Sequence, residues 1–406
     1  MCRALCAFHL GKLRSVTETV RYTFRLRPGV QAECALLAEW GRCRWLWNEA
    51  VHQWKSGRRP TFCKLSKMLT AARAEFGWLR EGSQVAQQQM LRTYGKALNH
   101  SFRVKGRRRP VMKRRKVALP SLDYVADSFS IRRGRLRLPK GIEIPVVWSR
   151  DLPSKSSSVR VYQDTLGHWY ASFVVRREVE PAAEAHGGIG IDWGVRATAT
   201  TTDAAYDLPY GGHRKRCAAE LAKAQRRVAR RRRQRGLVQS NGYRRAKRDA
   251  AKLHKKAARQ NQHAARVWVK RVVDNHQLIA VENFKPLFLA KSPMAGRAAD
   301  AAIGAAKREL IERGTRAGRK VVLVPPAYTT MTCSECFARA KQPLSLGERT
   351  FLCATCGYTA DRDRNAARVI LATAERGRAG ADDVRHLLAS PQGLRAVLSE
   401  PETSAA

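Results

Sequence analysis

The chain is short of acid. Its 406 residues hold 33 Asp and Glu against 78 Lys and Arg, a formal charge of +45. A surface this lopsided repels itself until a polyanion neutralises it, so nucleic acid is the expected partner class. Long apolar runs are missing as well. None approaches the roughly 18–20 residues that a membrane span needs, and the opening MCRALCAFHLGKLRSVTE reads as too weakly apolar for a signal peptide. No membrane partner is expected. There is no internal repeat. The cysteines form no disulfide framework: Cys2, Cys6, Cys34, Cys43, Cys63 and Cys217 are scattered, which in a chain of this size points to reduced thiols and a cytosolic compartment. The apolar fraction of 44% excludes wholesale disorder.

The remaining four cysteines are patterned. Cys333/Cys336 and Cys353/Cys356 are two Cys-x-x-Cys pairs with sixteen residues between them. Each pair is a turn that presents two thiolates to one tetrahedral ion, and the second pair completes the shell. Four thiolates leave no open position, so one structural Zn2+ is expected, with an iron–sulfur cluster as the rival. A redox dithiol would need a βαβ context that this stretch lacks.

Periodicity divides the rest. Thr17–Leu26 alternates like a half-buried strand. Helical spacing follows over 30–54, 64–79 and 83–102, with a Trp-rich stripe that reads as core. Gly106–Lys116 is a basic linker that would need an anion beside it to be ordered. Short alternating segments at 128–132, 135–138, 143–147, 158–163 and 168–175 suggest a small barrel or sandwich that the first strand could join, which would make the helices an insertion. Glu178–His186 is the best domain boundary. Beyond it the order is strand, strand, basic helices, strand, helix, strand, cysteine insert, helix, an α/β pattern with buried strands.

Three acids stand at the ends of these elements. Asp192 follows Gly-Ile-Gly-Ile, where Gly190 and Gly194 would leave room for a ligand. Glu282 ends Leu278-Ile-Ala-Val, and Asp361 or Asp363 opens the last helix. An acid ending a buried strand is costly unless something neutralises it. Converging, three carboxylates could hold two Mg2+ ions through oxygen ligands and support phosphodiester cleavage. The plainer readings are a helix cap for the last acid and arginine pairing for the others. Residues 213–271 carry 22 Lys and Arg but two acids, Glu220 and Asp249. That is too lopsided for salt bridges along a helix and reads as phosphate contact.

Together these residues resemble the TnpB-type (OrfB) proteins of bacterial insertion sequences, RNA-guided DNA endonucleases related to the compact type V CRISPR effectors. The resemblance covers roughly residues 18–372. Arg21–Pro28 looks like the family's opening strand and Arg109–Lys113 like its Pro-x-Phe-Lys segment, with Met112 in place of Phe. Gly190-Ile-Asp192-Trp-Gly194, Ala280-Val-Glu282-Asn283 and Asp361-Arg-Asp363-Arg-Asn365-Ala-Ala367 resemble the three RuvC motifs. Cys333, Cys336, Cys353 and Cys356 resemble the zinc ribbon. Phe337 stands where the family often has Gly, and Met331 is unusual, but neither removes a ligand.

The resemblance implies α/β plus β architecture: a RuvC (RNase H-like) nuclease core with a zinc-ribbon insertion, preceded by a β-barrel wedge that contains an inserted helical bundle. It implies a first wedge strand and extension in 1–29, a helical recognition insertion in 30–117, a wedge in 118–180 and the nuclease core with basic helices in 181–327. The ribbon would span 328–360, the end of the core 361–376 and a tail 377–406. Asp363 becomes the third catalytic acid and Asp361 a supporting residue. The implied partners are a guide RNA from the transposon end and double-stranded DNA beside a short flanking motif, with cleavage in the bacterial cytoplasm at the nucleoid. A catalytically silent RNA-guided repressor and a CRISPR-associated effector are the alternatives.

Overall fold

Alternating apolar and charged residues make Thr17–Leu26 strand β1, and Pro28-Gly29 ends it before helix α1, Val30–Lys55. The structure, a computed structural model, describes residues 17–377 except 59, 105, 116, 180–182, 235–236, 285–293, 343 and 346. They fall into two units that part between residues 180 and 181.

In the first unit, α1 is followed by α2 (Phe62–Glu75), the single turn α3 (Gly77–Arg80) and α4 (Gln84–Arg103). Thr61 and Ser83 cap α2 and α4 by accepting the Lys64 and Ala86 N–H groups, the role for which short hydroxyl side chains are favoured at helix starts. Six strands then join β1: β2 (Ser121–Val125), β3 (Ser130–Arg132), β4 (Arg135–Leu138), β5 (Ile142–Val147), β6 (Ser158–Gln163) and β7 (Trp169–Glu178). They form one antiparallel sheet in the order β2-β6-β7-β1-β5-β4-β3. Strand β1 pairs with β7 along its whole length, from Thr17↔Glu178 to Leu26↔Trp169. The first strand is therefore central to the sheet, and α1–α4 interrupt it. Phe24, Trp169 and Phe173 share a core with Leu36, Trp47, Leu65, Leu91 and Tyr94 of the helices.

Helix α1 holds the middle of the basic linker. Asn48 Oδ1 accepts the Lys113 N–H at 2.7 Å and Trp47 Nε1 donates to the Val111 carbonyl at 2.9 Å. Lys113 Nζ lies 4.1 Å from the Trp47 ring centroid.

The second unit opens with β8 (Gly188–Trp193), β9 (Ala197–Thr201) and the two-residue β10 (Leu208–Pro209). Helices α5 (His213–Arg216), α6 (Ala218–Arg230) and α7 (Asn241–Asn275) follow, and Ser240 caps α7 at the expected turn. Next come β11 (Leu278–Glu282), α8 (Ala295–Ala301), α9 (Ile303–Arg316) and β12 (Lys320–Val324). A hairpin of β13 (Thr350–Leu352) and β14 (Thr359–Asp361) leads into α10, Arg362–Glu375. The main sheet has the order β10-β9-β8-β11-β12. Within it β8, β11 and β12 run parallel, while β9 runs antiparallel to β8.

Period-two alternation gives this sheet two different faces. Ile189, Ile191 and Trp193 of β8 pack with Trp268, Val272 and Leu310 from α7 and α9. The opposite face, with Ala280, Val322 and Val324, packs on Ile370 and Ala374 of α10. Among the described residues no helix is long and apolar enough to cross a membrane.

Candidate functional site

Strand register places two of the three acids. Ile191 of β8 is paired with Val281 of β11 in a parallel ladder, so the next residue of β8, Asp192, lies beside Glu282, the last residue of β11. Adjacent strands are about 4.8 Å apart, and alternation directs both side chains to the face that α10 covers. The third acid comes from that helix. Asp363, Ala367 and Leu371 are spaced i, i+4, i+8 and so share one helical face. A Cβ added to Gly190 would lie 1.9 Å from the Ala367 carbonyl oxygen, and one on Gly188 would lie 2.8 Å from Leu371 Cδ1. The helix therefore runs down β8, with Leu371 at Gly188, Ala367 at Gly190 and Asp363 towards Asp192. The sequence reading gave the space at Gly190 to a ligand. Helix backbone fills it instead, and Gly194 serves a tight turn, where a Cβ would meet the Ala197 carbonyl at 2.9 Å.

Burial makes this group of acids costly. Asp192 is 7% exposed and Glu282 6%. Burial pushes the Asp192 carboxyl well above its ordinary range, and the charges of Glu282 and Asp363 push it further. Burial likewise raises Glu282 to about 7, held back by the Trp193 backbone N–H, the Lys307 charge and a hydrogen bond with Asp192. Asp363 is turned onto two guanidinium groups, 3.3 Å from Arg349 and 3.3 Å from Arg362. The donor set suits hard divalent cations: three sets of carboxylate oxygens, of which the buried pair, Asp192 and Glu282, would give up protons to a bound ion.

The rest of the last motif holds α10 in place. Asp361 caps the helix, accepting the N–H groups of Asp363 and Arg364 at 3.0 Å each. Arg364 donates to both carboxylate oxygens of Asp207, at 3.0 and 2.8 Å, and to the Thr201 carbonyl. The fully buried Asn365 accepts the Ser334 N–H at 2.9 Å and donates to the Thr332 carbonyl at 2.7 Å. It thereby ties the helix to the first cysteine turn.

The four cysteine sulfurs all lie within 4.8 Å of one another. Cys333 Sγ is 3.7 Å from Cys356 Sγ, and Cys336 Sγ is 3.5 Å from Cys353 Sγ. A tetrahedron of sulfurs about 2.3 Å from a zinc ion has edges of about 3.8 Å, so the cluster fits that ion. Without a cation its protons are unevenly shared. The Cys356 N–H helps pull the Cys353 thiol down to about 6. Cys356 rises to about 12, because the thiols around it outweigh the pull of the Tyr358 N–H. The two turns share one geometry: Phe337 and Gly357 donate to the Cys333 and Cys353 carbonyls, with φ of 60° and 74°. Left-handed backbone explains why Gly suits this position. Phe337 adopts it with the Arg376 guanidinium 3.5 Å from its ring centroid.

Among the described residues the cysteines alone meet the 4.8 Å spacing; the three carboxylates do not all close to it. Three polar anchors escaped the sequence reading. These are Asp207, Lys307 and Asp300, the last of which accepts the Arg214 and Lys215 N–H groups at the start of α5. Each works through partners remote in sequence, so no local signal could have found them. Small and apolar residues of α7, from Ala246 to Val273, are buried, and none of its Lys and Arg is among the buried residues.

Two family models match the chain: "Probable transposase" over residues 172–286 and "Cas12f1-like, TNB domain" over residues 305–370. A relative from Streptomyces pristinaespiralis, named "Putative RNA-guided DNA endonuclease", is 29% identical over 95% of this chain and 97% of its own length. One from Escherichia coli (strain K12), "Putative RNA-guided DNA endonuclease InsQ", is 28% identical over 86% of this chain and 91% of its own. A "CRISPR-associated endodeoxyribonuclease Cas12f1" from Sulfoacidibacillus thermotolerans is 39% identical over 64 residues, 16% of this chain and 15% of its own length. These matches bear out the resemblance of this chain to the TnpB-type (OrfB) proteins.

Proposed function

We propose that the protein is an RNA-guided DNA endonuclease of an insertion sequence, cutting double-stranded DNA beside a short flanking motif. The observation that carries this reading is that Asp192 and Glu282 lie side by side on the sheet face covered by α10, the helix whose Asp363 is near enough for its charge to act on Asp192. The names of the full-length relatives support the reaction and its partners. Helices on both faces of a mixed five-stranded sheet support an RNase H-like RuvC core in 181–327 and 361–376, interrupted by a zinc ribbon in 328–360. The seven-stranded sheet would be the wedge and α1–α4 the recognition insertion.

Asp192, Glu282 and Asp363 would hold two Mg2+ ions, which when bound supply the Lewis-acid chemistry that activates water and stabilises the leaving oxygen. The chain's own contribution is placement. The β8–β11 register fixes two carboxylates, the Asp361 cap and the Arg364–Asp207 pair fix the turn that carries the third, and Asn365 locks that turn to the cysteine cluster. Arg349 and Arg362 must release Asp363 before it can accept an ion. The basic helices would hold guide RNA and DNA through phosphates, while base pairing reads the target.

The test uses purified protein with its co-purified RNA and a DNA matching that guide. Cleavage with Mg2+ is expected for the native chain, and Asp192→Ala should reduce it by on the order of a thousandfold or more while RNA and target binding persist. A variant that still cuts would sink the assignment. Native protein that protects the target in a footprint but never cuts would make it a guided repressor.

A further inference from the structure

Helix α9 buries Ile303, Ala306, Leu310 and Ile311 on its apolar stripe. Lys307 lies in that stripe and is 5% exposed. A flexible ammonium on a stripe of this kind normally reaches water, and one kept from it is costly unless it is paired. Lys307 is directed at the end of β11 instead. Its Nζ donates to Asn283 Oδ1 at 2.6 Å and points to the Phe284 carbonyl at 3.4 Å. The Asn283 N–H is in turn fixed to the Val324 carbonyl of β12 at 2.7 Å. Glu282 directly precedes this clamped pair, and the Lys307 charge acts on its carboxylate.

We infer that Lys307 is a positioning residue for Glu282: from α9 it clamps the two residues after β11 and so holds that carboxylate toward the metal centre. The inference rests on the proposed nuclease reading. In this role the lysine acts on the strand end rather than on substrate or ion. It fixes the backbone from which Glu282 projects and sets one positive charge near the Glu282 carboxylate. Its apolar stem fills the space a Leu or Met would fill in the stripe, so packing alone does not call for the ammonium. Removing it has two opposed consequences. Loss of charge alone would tighten divalent-ion binding, whereas loss of the clamp loosens Glu282 and weakens it. The two donor contacts make the clamp the larger effect.

The experiment compares the full native chain with Lys307→Met, which keeps the stem, and Lys307→Arg, which keeps the charge and donors. Mn2+ binding is followed by electron paramagnetic resonance without nucleic acid, and cleavage of guide-matched DNA is titrated with Mg2+. Supporting groups around metal ligands change affinity or activity by about 10–100-fold. Lys307→Met should therefore raise both metal midpoints about tenfold, with target binding in EDTA unchanged and partial recovery in Lys307→Arg. An unchanged or lowered Mn2+ midpoint overturns the inference, as does an equal loss of metal-free target binding. If Lys307→Met does not fold, Asn283→Ala removes the acceptor and leaves the lysine; native midpoints in that variant also overturn it. Native protein that binds Mn2+ but cuts nothing defeats the nuclease reading alone, and the Mn2+ midpoints still decide the role of Lys307. Native protein that binds no Mn2+ defeats both.

Discussion

The two candidate metal centres of this chain are built in opposite ways. The four thiols belong to two matched turns, and the sequence separation of the Cys333–Cys356 pair is 23 residues. Local backbone geometry sets their spacing, two of them are exposed, and the set is complete without the rest of the fold. The three carboxylates come from two strands and a helix far apart in the chain. They meet because of a sheet register and a helix face, and two of them are buried. A local centre is a scaffold that can be lost as a piece. A topological centre can be disturbed from anywhere in the sheet. Asn365 joins the two, with one hydrogen-bonded end on the cysteine turn and its backbone in the helix that carries Asp363.

The harshest way to break this division is to remove the cysteine-bound ion. Structural zinc contributes roughly 10–16 kcal/mol of apparent folding energy in small zinc modules, more than the few contacts within this hairpin could replace. Cys353→Ser should therefore lose one zinc per chain by elemental analysis and melt the 328–360 segment in hydrogen exchange. Its Thr332 and Ser334 partners gone, Asn365 would release the first turn of α10, and cleavage should fall by on the order of a hundredfold. Protection of β8 and β11 should remain. A zinc-free variant that cuts at the native rate would show that the cysteine cluster does not place Asp363.

The converse break leaves the cysteines alone and moves the helix. At Gly190 an added methyl would sit 1.9 Å from a backbone carbonyl, a clash that no rotamer change relieves. Overpacking costs about 1–3 kcal/mol and sometimes more, and here the upper end is expected. Gly190→Ala should lower the thermal midpoint of the second unit and the cleavage rate together, at native zinc content. Native cleavage by a folded variant would refute the close packing of α10 on β8.

The contrast also explains what could be read from the chain. Cysteine spacing, the Ser240 turn, the strands that carry Asp192 and Glu282 and the acid-rich start of α10 are signals carried by neighbouring residues. Spacing alone leaves Asp361 and Asp363 open, because both occupy the same first turn; the resemblance gives the catalytic role to Asp363, and in the structure it is Asp361 that makes the cap bonds. Strand β2 was missed because five residues carry too little alternation to stand out, and the two-residue β10 exists only by pairing with β9. The Arg364–Asp207 pair spans 157 residues. Gly190 was visible, but its meaning depended on a helix that arrives from the far end of the chain.

The mildest test uses protons, which affect the two centres differently. Glu282 has its carboxyl raised to about 7 in the folded protein, chiefly by burial, against an ordinary value of 4.5, and Asp192 is raised in the same direction. A carboxyl raised by folding binds more protons in the native state than in the unfolded one. Its contribution is fully present below about pH 4.5 and is lost as the pH climbs through 7. Without divalent cations, stability should fall between pH 5 and 8 by on the order of 1–3 kcal/mol from this pair. Saturating Mg2+ should recover much of the loss at pH 8 and little at pH 5, because the ion competes with protons for the same oxygens. Asp192→Asn removes one member of the pair and should flatten the metal-free profile. Denaturant melts at three pH values, with EDTA and with Mg2+, separate these outcomes. A profile equally steep in Asp192→Asn would mean that the proton uptake lies elsewhere in the chain and that the acids are not strained in the metal-free fold.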